Sequence, residues 1–284
     1  AVGTVLVGFD EYPFELGGAG KRRRRFRPSV VLTHVPIRRK VIRLELKNGV
    51  TVRSSEEHPW LVATKQSRNQ KWMTAGQIAK DIKSGHRRYL HQFIKPWTSN
   101  RTYEAGWLSG IYDGEGCFSI KNRSGCQLSV SQNPGLVLNR ILEVASEFGF
   151  PVAKYAKEKK RNILCIQSRG GWRENLRLLG TIQPVRLVNT FQESLRSGEF
   201  GKQMDGLGPP EEIVRAYSEG YQECSGIETS THTYLCEGFG AHNSVGQHCT
   251  LGSYVVEEQT KNLILALAFH LHDSGEPYLG DMTR

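Results

Sequence analysis

The stretch HTYLCEGFGAHNS, residues 232–244, ends in three side chains whose chemistries complement one another. Asn243 can cyclise, because its side-chain amide nitrogen reaches its own carbonyl carbon through a five-membered ring, and an intramolecular reaction of that kind has no second molecule to order. His242 can polarise that carbonyl or protonate the leaving amine. Ser244 carries a hydroxyl that can take an acyl group as an ester and pass it to its own freed amine. His-Asn-Ser alone occurs by chance in loops, so its weight depends on what the rest of the chain supplies.

Outward from this stretch, SSEEHPWLVAT (54–64) holds Ser55 and His58 three residues apart, just after RKVIRLELKNGVTV, where Asn48-Gly49 separates two alternating runs and predicts a hairpin. Residues 1–98 are rich in such runs (TVLVGF, SVVLTHV, PWLVAT), and TAGQIAKDIKSG (74–85) has helical spacing with Gly85 as its stop. Beyond KPWTSNRTYEAG the pattern changes. Residues 105–116 read as a helix, CFSIKNRSGCQLSVSQ as a hairpin, GLVLNRILEVASEFGF as a helix, NILCIQS as a strand, and NLRLLG and PVRLVNTFQESL as helical, in the order α-β-β-α-β-α. The loop-like GEFGKQMDGLGPPEE (198–212) marks a second boundary, after which short strands return at IVRAY, GIETS and THTYL. The expectation is a β domain interrupted by an α+β insert, with segments 1–98, 99–205, 206–243 and 244–284.

On these residues the chain resembles an intein, a protein-splicing element: AVGTVL (1–6), residues 38–64 and residues 213–244 match its two ends. The resemblance implies a mainly β, horseshoe-like Hint domain built from both ends. It implies that residues 1–243 excise themselves and join flanking exteins in cis, without a cofactor, and that 244–284 is the C-extein. Ser55 and His58 then stand where a Thr or Ser precedes the His that activates the first peptide bond, and His232 assists Asn243 cyclisation. Position 1 departs from the pattern: inteins begin with Cys or Ser, and Ala1 offers only a methyl group. Either Ala1 replaces a native Cys, or the chain belongs to a class that bypasses residue 1. Trp60 after His58-Pro59 fits a class with a Trp/Cys/Thr set, for which Cys224 and Cys236 are the alternative nucleophiles, although the expected Thr is Ala241.

Within the insert, WLSGIYDGEGCFSI (107–120) resembles the LAGLIDADG motif of homing endonucleases. Ser109 and Gly110 are small enough for close helix packing at a two-fold interface, and Glu115 emerges at the helix end, where a carboxylate can ligate Mg²⁺. The resemblance implies double-strand cleavage of DNA, with Gln132 near the metal and Arg186 as a later basic residue. Strand alternation offers Lys121, Arg123, Gln127 and Ser129 as DNA contacts. One such motif is visible, so the resemblance implies a homodimer on a pseudo-palindromic site.

Charge agrees with a polyanionic partner. The 284 residues carry a formal net charge of +10, yet residues 206–284 hold 3 Lys/Arg against 11 Asp/Glu, so the basic excess lies upstream. KRRRRFRP (21–28) reads as a solvated loop or a polyanion contact. The six cysteines lack metal-site spacing and disulfide density, so reduced thiols are expected. No apolar run approaches a membrane span and the N-terminus lacks a signal-peptide pattern, so a cytoplasmic location is the default. Two rivals stay open: a freestanding sequence-specific DNA-binding protein, and a Hint-type autoprocessing domain that cleaves without ligating.

Overall fold

The computed structural model describes residues 1–13, 15–17, 21–63, 70–121, 125–158, 163–196, 204, 206–243 and 257–265. The chain divides into two compact units, Ala1–Phe93 with Gln203–Arg284, and Ile94–Lys202. The first unit contains β1 (Val5–Phe9), β2 (Glu15–Gly17), β3 (Lys21–Arg23), β4 (Phe26–Leu46), β5 (Thr51–Ser55), β6 (Pro59–Ala63), β7 (Gln70–Thr74), α1 (Ala75–Lys83) and β8 (Tyr89–Leu90). The second runs α2 (Tyr103–Glu115), β9 (Gly116–Lys121), β10 (Gly125–Gln132), α3 (Leu136–Glu147), β11 (Val152–Glu158), β12 (Ile163–Ser168), α4 (Gly171–Ile182) and α5 (Val185–Arg196). The first unit then resumes with β13 (Glu211–Thr229), β14 (Thr233–Cys236) and β15 (Phe239–His242).

Nine strands of the first unit form one sheet in the order β1-β4-β13-β8-β6-β15-β14, with β5 on β4 and β7 on β6. Its spine is the antiparallel pairing of β4 with β13, which runs from Leu46–Ile213 to Val31–Thr229. Sequence reading broke β4 into SVVLTHV and KVIRLEL and broke β13 into shorter strands; the structure corrects both. Pro36 does not stop β4, because residues 31–40 pair with a named strand on one side only, and a missing N–H on the other side costs no ladder bond. The predicted hairpin is present. Gly49 takes φ +86°, and the Leu46 amide donates to the Val50 carbonyl at 2.8 Å. The predicted helix is α1, capped by a reciprocal pair in which the Gln77 amide donates to Thr74 Oγ1 and the Thr74 amide to Gln77 Oε1.

The backbone of KRRRRFRP is not a free loop but β3 and its return into β4, with Arg25 and Arg27 exposed. Arg24 is buried, donates to the carbonyl oxygens of Asp10 (2.8 Å) and Glu11, and lies over the Trp72 ring; Arg27 pairs with Asp10 at 2.6 Å. The Asp10 carboxylate, with the Asp10 and Glu11 carbonyls, holds residues 24, 25 and 27 in place. The sheet encloses a core of Ile42, Leu44, Trp60, Val62, Ile78, Leu90 and Phe239 among others, and its two ends meet. The Phe9 amide donates to Thr233 Oγ1 (3.0 Å), which donates in turn to the Phe9 carbonyl (2.5 Å), so the mostly β sheet is nearly closed.

In the second unit an antiparallel sheet in the order β11-β12-β10-β9 carries helices on one face. Leu128, Val130 and Ile166 are buried beneath them, and Phe118 meets Phe191 of α5 edge-on at 5.5 Å. The element order is α-β-β-α-β-β-α-α, adding β11 to the sequence reading. Its segment VAKYAKE is poor in strand formers, and it lies at the sheet edge with β12 as its partner. No helix among the described residues is long and apolar enough to cross a membrane.

Closure between β1 and β14 rests on Gly8. A Cβ there would lie 2.6 Å from both Ser29 Cβ and Thr231 Oγ1 and 2.8 Å from the Thr233 carbonyl oxygen. Gly8→Ala should therefore destabilise the chain by about 1–3 kcal/mol, read as a lower urea midpoint at unchanged slope. An unaltered midpoint means that the two edges do not approach as described.

Candidate functional site

The loop after β1 carries Glu11 to the ends of β14 and β15, where three sequence-predicted residues converge. Glu11 Oε1 lies 2.7 Å from His242 Nε2, and Oε2 lies 3.3 Å from His232 Nδ1. Burial alone would raise the Glu11 carboxyl, but the hydrogen bonds and charges of His232 and His242 outweigh it and hold it at about 2, against an ordinary 4.5. His242 Nδ1 faces the carbonyl oxygen of Asn243 at 2.5 Å, and the edge of Trp72 packs on the His242 ring at 5.0 Å between centroids. His232 occupies a tight turn at φ +58°, from which its carbonyl accepts the Asn243 amide at 2.8 Å.

Asn243 is 3 % exposed, and its side-chain amide is fixed against Thr229, which donates from Oγ1 to Oδ1 at 3.3 Å and accepts Nδ2 on its carbonyl at 3.4 Å. Thr229 pairs with Val31, and Val31 accepts the Gly3 amide at 2.8 Å. Backbone register thus brings the segment that starts at Ala1 to the neighbourhood of Asn243. Ala1 itself is exposed and its carbonyl accepts the Thr4 amide. Ser244, His248 and Cys249 lie outside the described residues; of 244–284 the structure describes 257–265, which are exposed.

Ser55 and His58 sit in the turn between β5 and β6, where the His58 amide donates to the Ser55 carbonyl at 3.1 Å. Both are buried. They share a cavity of about 290 Å³ with Arg53, Tyr234, Cys224 and Cys236, so the topology gathers both candidate thiols and the predicted His. Trp60 stands edge-on to His58 at 4.9 Å and donates from Nε1 to Ser54 Oγ. His58 Nε2 is buried without a hydrogen-bond partner among the described residues. Burial pushes the Cys224 thiol up and the Cys236 thiol further, to about 11. Cys117, Cys126, Cys165, Cys224 and Cys236 are all free thiols.

In the second unit Glu115 is the exposed last residue of α2. Gln132 ends β10, whose register with β9 (Val130 opposite Gly116) carries it beside that helix end. Gln127 and Ser129 alternate with buried Cys126, Leu128 and Val130, which puts them on the face away from the helices, with Ser119, Cys117 and Gln167 as cross-strand partners. Lys121 ends β9, and Arg123 lies outside the described residues. Arg186 is engaged in holding the fold together: Nε donates to the Asp113 carbonyl (2.8 Å) and Nη2 to those of Tyr112 (3.1 Å) and Gly116 (2.7 Å). Asp113 in return caps α5, accepting the amides of Val185 and Arg186.

Residues 102–182 match the family model of the LAGLIDADG-like domain. The match opens at Thr102, the N-cap of α2, and closes with the end of α4, so Arg186 on α5 falls outside it. A domain of this type supports DNA binding and endonuclease activity, commonly with a divalent metal and often as a dimer. No curated protein matches the chain. Among the described residues no three His, Cys, Asp or Glu side chains cluster as a metal site. At this end of α2 Asp113 is committed to α5, and among the described residues of the helix end Glu115 is the remaining carboxylate. Mg²⁺ keeps most of its waters and binds through one or two carboxylates plus phosphate, so Glu115 fits half of such a site.

Glu11, Thr229 and Trp72 were not found from sequence. Glu11 could have been singled out as one of two acids ahead of a run of five basic residues; Thr229 and Trp72 carry no local signal.

His58 gives the first unit a defined acid sensitivity. Burial, reinforced by the charge of His242, pulls it from 6.5 to about 3. The unfolded chain therefore binds the extra proton between these values. Stability is full above about 6.5 and falls toward pH 3 by up to about 1.4 kcal/mol per pH unit. His58→Leu should flatten the dependence of the unfolding free energy on pH between 6.5 and 4; an equally steep dependence in the variant means His58 is not the group responsible.

Proposed function

We propose that the first unit is a Hint-type splicing domain, with 1–93 and the segment after the insert as its halves, 244–284 as C-extein, and the LAGLIDADG-like domain as a homing endonuclease inserted in it. The observation that carries the reading is the contact between His242 and the Asn243 carbonyl, with the Asn243 amide nitrogen on the same residue. In the reaction, Asn243 Nδ2 bonds to its own carbonyl carbon while the peptide bond to Ser244 breaks. One proton leaves Nδ2 and one arrives on the Ser244 nitrogen, giving a C-terminal aminosuccinimide and a free amine. His242 stabilises the developing oxyanion and supplies the proton, and His232 fixes the backbone through its carbonyl. No cofactor takes part.

The N-terminal half lacks a nucleophile at Ala1. A Cys there would restore the first acyl shift, activated by His58 with Ser55 beside it. The bypass reading is favoured by the cavity that Cys224 and Cys236 share with His58. His58 is neutral there, with a lone pair or N–H still unused, and could accept a thiol proton. Cys224 is the better nucleophile of the two, because its thiol is less deeply desolvated than that of Cys236. In either case Ser244 receives the acyl group before Asn243 cyclises.

In the insert, Glu115 from each of two copies would hold Mg²⁺ at the scissile phosphates, and the face bearing Gln127 and Ser129, with Lys121 and Arg123 at the hairpin, would contact duplex DNA. Gly106, Gly110 and Gly114 recur every four residues on the exposed side of α2, and a Cβ on each would meet nothing within 4 Å. Glycine costs a helix about 1 kcal/mol relative to alanine, a loss offset where a second helix backbone packs closely. Residues Ala105, Leu108 and Tyr112 bind the other side of α2 to its own unit.

Two experiments test these assignments. In a precursor with an N-terminal extension, mass spectrometry should show ligated flanks for Ala1→Cys, and no break after residue 243 for Asn243→Ala. Ligation with Ala1 retained, lost on Cys224→Ser, selects the bypass; an intact chain throughout excludes splicing and favours a DNA-binding protein, while separated flanks mean cleavage without ligation. For the insert, a plasmid carrying the uninterrupted host gene should be cut in Mg²⁺. Glu115→Gln should lower the rate at least a hundredfold with DNA affinity retained, and Gly110→Arg should leave a monomer on sedimentation.

A further inference from the structure

Both ring nitrogens of His242 face oxygen acceptors: Nε2 faces the Glu11 carboxylate at 2.7 Å and Nδ1 faces the Asn243 carbonyl at 2.5 Å. A neutral imidazole has one N–H to give, and it can satisfy one of these oxygens; the doubly protonated ring satisfies both. The second Glu11 oxygen meets His232 Nδ1, so one carboxylate spans the two histidines that flank Asn243. Glu11 is itself fixed: its carbonyl accepts Arg24 Nη1, and Arg24 is buried against Trp72, the ring that packs on His242.

We propose that Glu11 is a positioning residue for breakage of the Asn243–Ser244 bond, holding His242 as an imidazolium whose Nδ1–H points at the carbonyl under attack while tying His232 into the same network. This rests on the reading of Asn243 as the cyclising residue. A carboxylate behind an imidazole orients the ring and favours the charge that it must carry in the transition state, so that oxyanion stabilisation and the proton for the leaving amine come from one group. Other charged or titratable groups face this pair. Arg24 bonds to the Glu11 backbone, Asp10 pairs with Arg27, and His58 is near enough to feel the charge of His242. The Glu11 carboxylate lies within hydrogen-bond distance of both rings.

The pairing makes cleavage depend on pH through the carboxylate. Removing the negative charge lets the ring lose its second proton at lower pH, so the alkaline limb of the cleavage profile moves toward acid. A purely structural role for Glu11 would lower the rate equally at every pH.

The test uses the full chain, following release of 244–284 by mass spectrometry between pH 5 and 9, with Asn243→Ala as control. Glu11→Gln should cleave at least tenfold more slowly at pH 7, shift its alkaline limb down by about one pH unit or more, and recover toward the unaltered rate at pH 5. Glu11→Asp, charged but shorter, should keep the position of the limb at a reduced rate. In ¹⁵N-histidine NMR spectra at pH 7, His242 should change from doubly to singly protonated in Glu11→Gln, a readout independent of activity that also shows whether the variant is folded. Asn243-dependent release with the same rate, profile and ring state in Glu11→Gln overturns the role of Glu11 and leaves the reading of Asn243 standing. Release that survives Asn243→Ala, or none from the unaltered chain, overturns that reading, and the role of Glu11 with it.

Discussion

The pairing of β4 with β13 is the constraint on which the rest of the first unit depends. It joins residues 31–46 to residues 213–229 across the whole of the second unit. The cost of closing so long a loop grows only logarithmically, by about 0.6 kcal/mol per doubling of length, and a ladder of this extent outweighs it readily. The closure is pinned again at the two crossing points. Leu90 pairs with Glu211, and the Leu207 amide donates to the Gln92 carbonyl, so the chain leaves and re-enters the first unit at neighbouring positions. A folded body of about a hundred residues can be carried between such points without distorting the sheet.

The same pairing builds the candidate site. Thr229 is the last residue of β13, and its position opposite Val31 decides where Asn243 and the start of the chain come to lie. Glu11 arrives on the loop after β1, whose strand is held to β4 on one edge and to Thr233 on the other. None of these groups could meet if β4 and β13 slipped by one residue, because a slip exchanges the two faces of a strand. Ordering of the sheet and ordering of the site are thus one event.

What was legible in the sequence was local or chemically unusual. Asn48-Gly49 announced a hairpin, Thr74 and Gln77 a capped helix, and the Gly-Glu-Gly after Asp113 the end of α2; each signal lies within a few residues of its effect. The mainly β unit interrupted by an α+β unit followed from the change of periodicity. Continuous strands were read as fragments because Pro36 and the polar run around Gly220 interrupt the hydrophobic pattern, while the ladder that overrides them comes from a distant segment. The edge strand β11 was hidden by its Ala and Lys content. At the site, His58, His232, His242 and Asn243 carry reactive groups and could be named. Glu11 meets His232 and His242, and Thr229 meets the Asn243 side chain, only across more than ten residues, and beyond the basic run that follows Glu11 no local pattern marks them. The roles of these residues remain those of the proposal, whereas their places are set by the fold.

The two halves of the first unit are chemically unequal. At the end of β15 the His242 ring stands within hydrogen-bond distance of the Asn243 carbonyl on one side and of the Glu11 carboxylate, from the N-terminal half, on the other. Around the cavity that His58 lines, the N-terminal half supplies that desolvated, neutral ring with one unpartnered nitrogen and Ser55, the C-terminal half supplies Cys224 and Cys236, and position 1 carries only a methyl group. Desolvation sets the state of His58. His58 is buried as a neutral ring, while the Glu11 carboxylate stands behind the other imidazole, that of His242. The proposed acyl shift and cyclisation call for different chemistry at the two ends, a proton acceptor for a thiol or hydroxyl and a proton donor for a leaving amine, and the two imidazoles sit in correspondingly different surroundings.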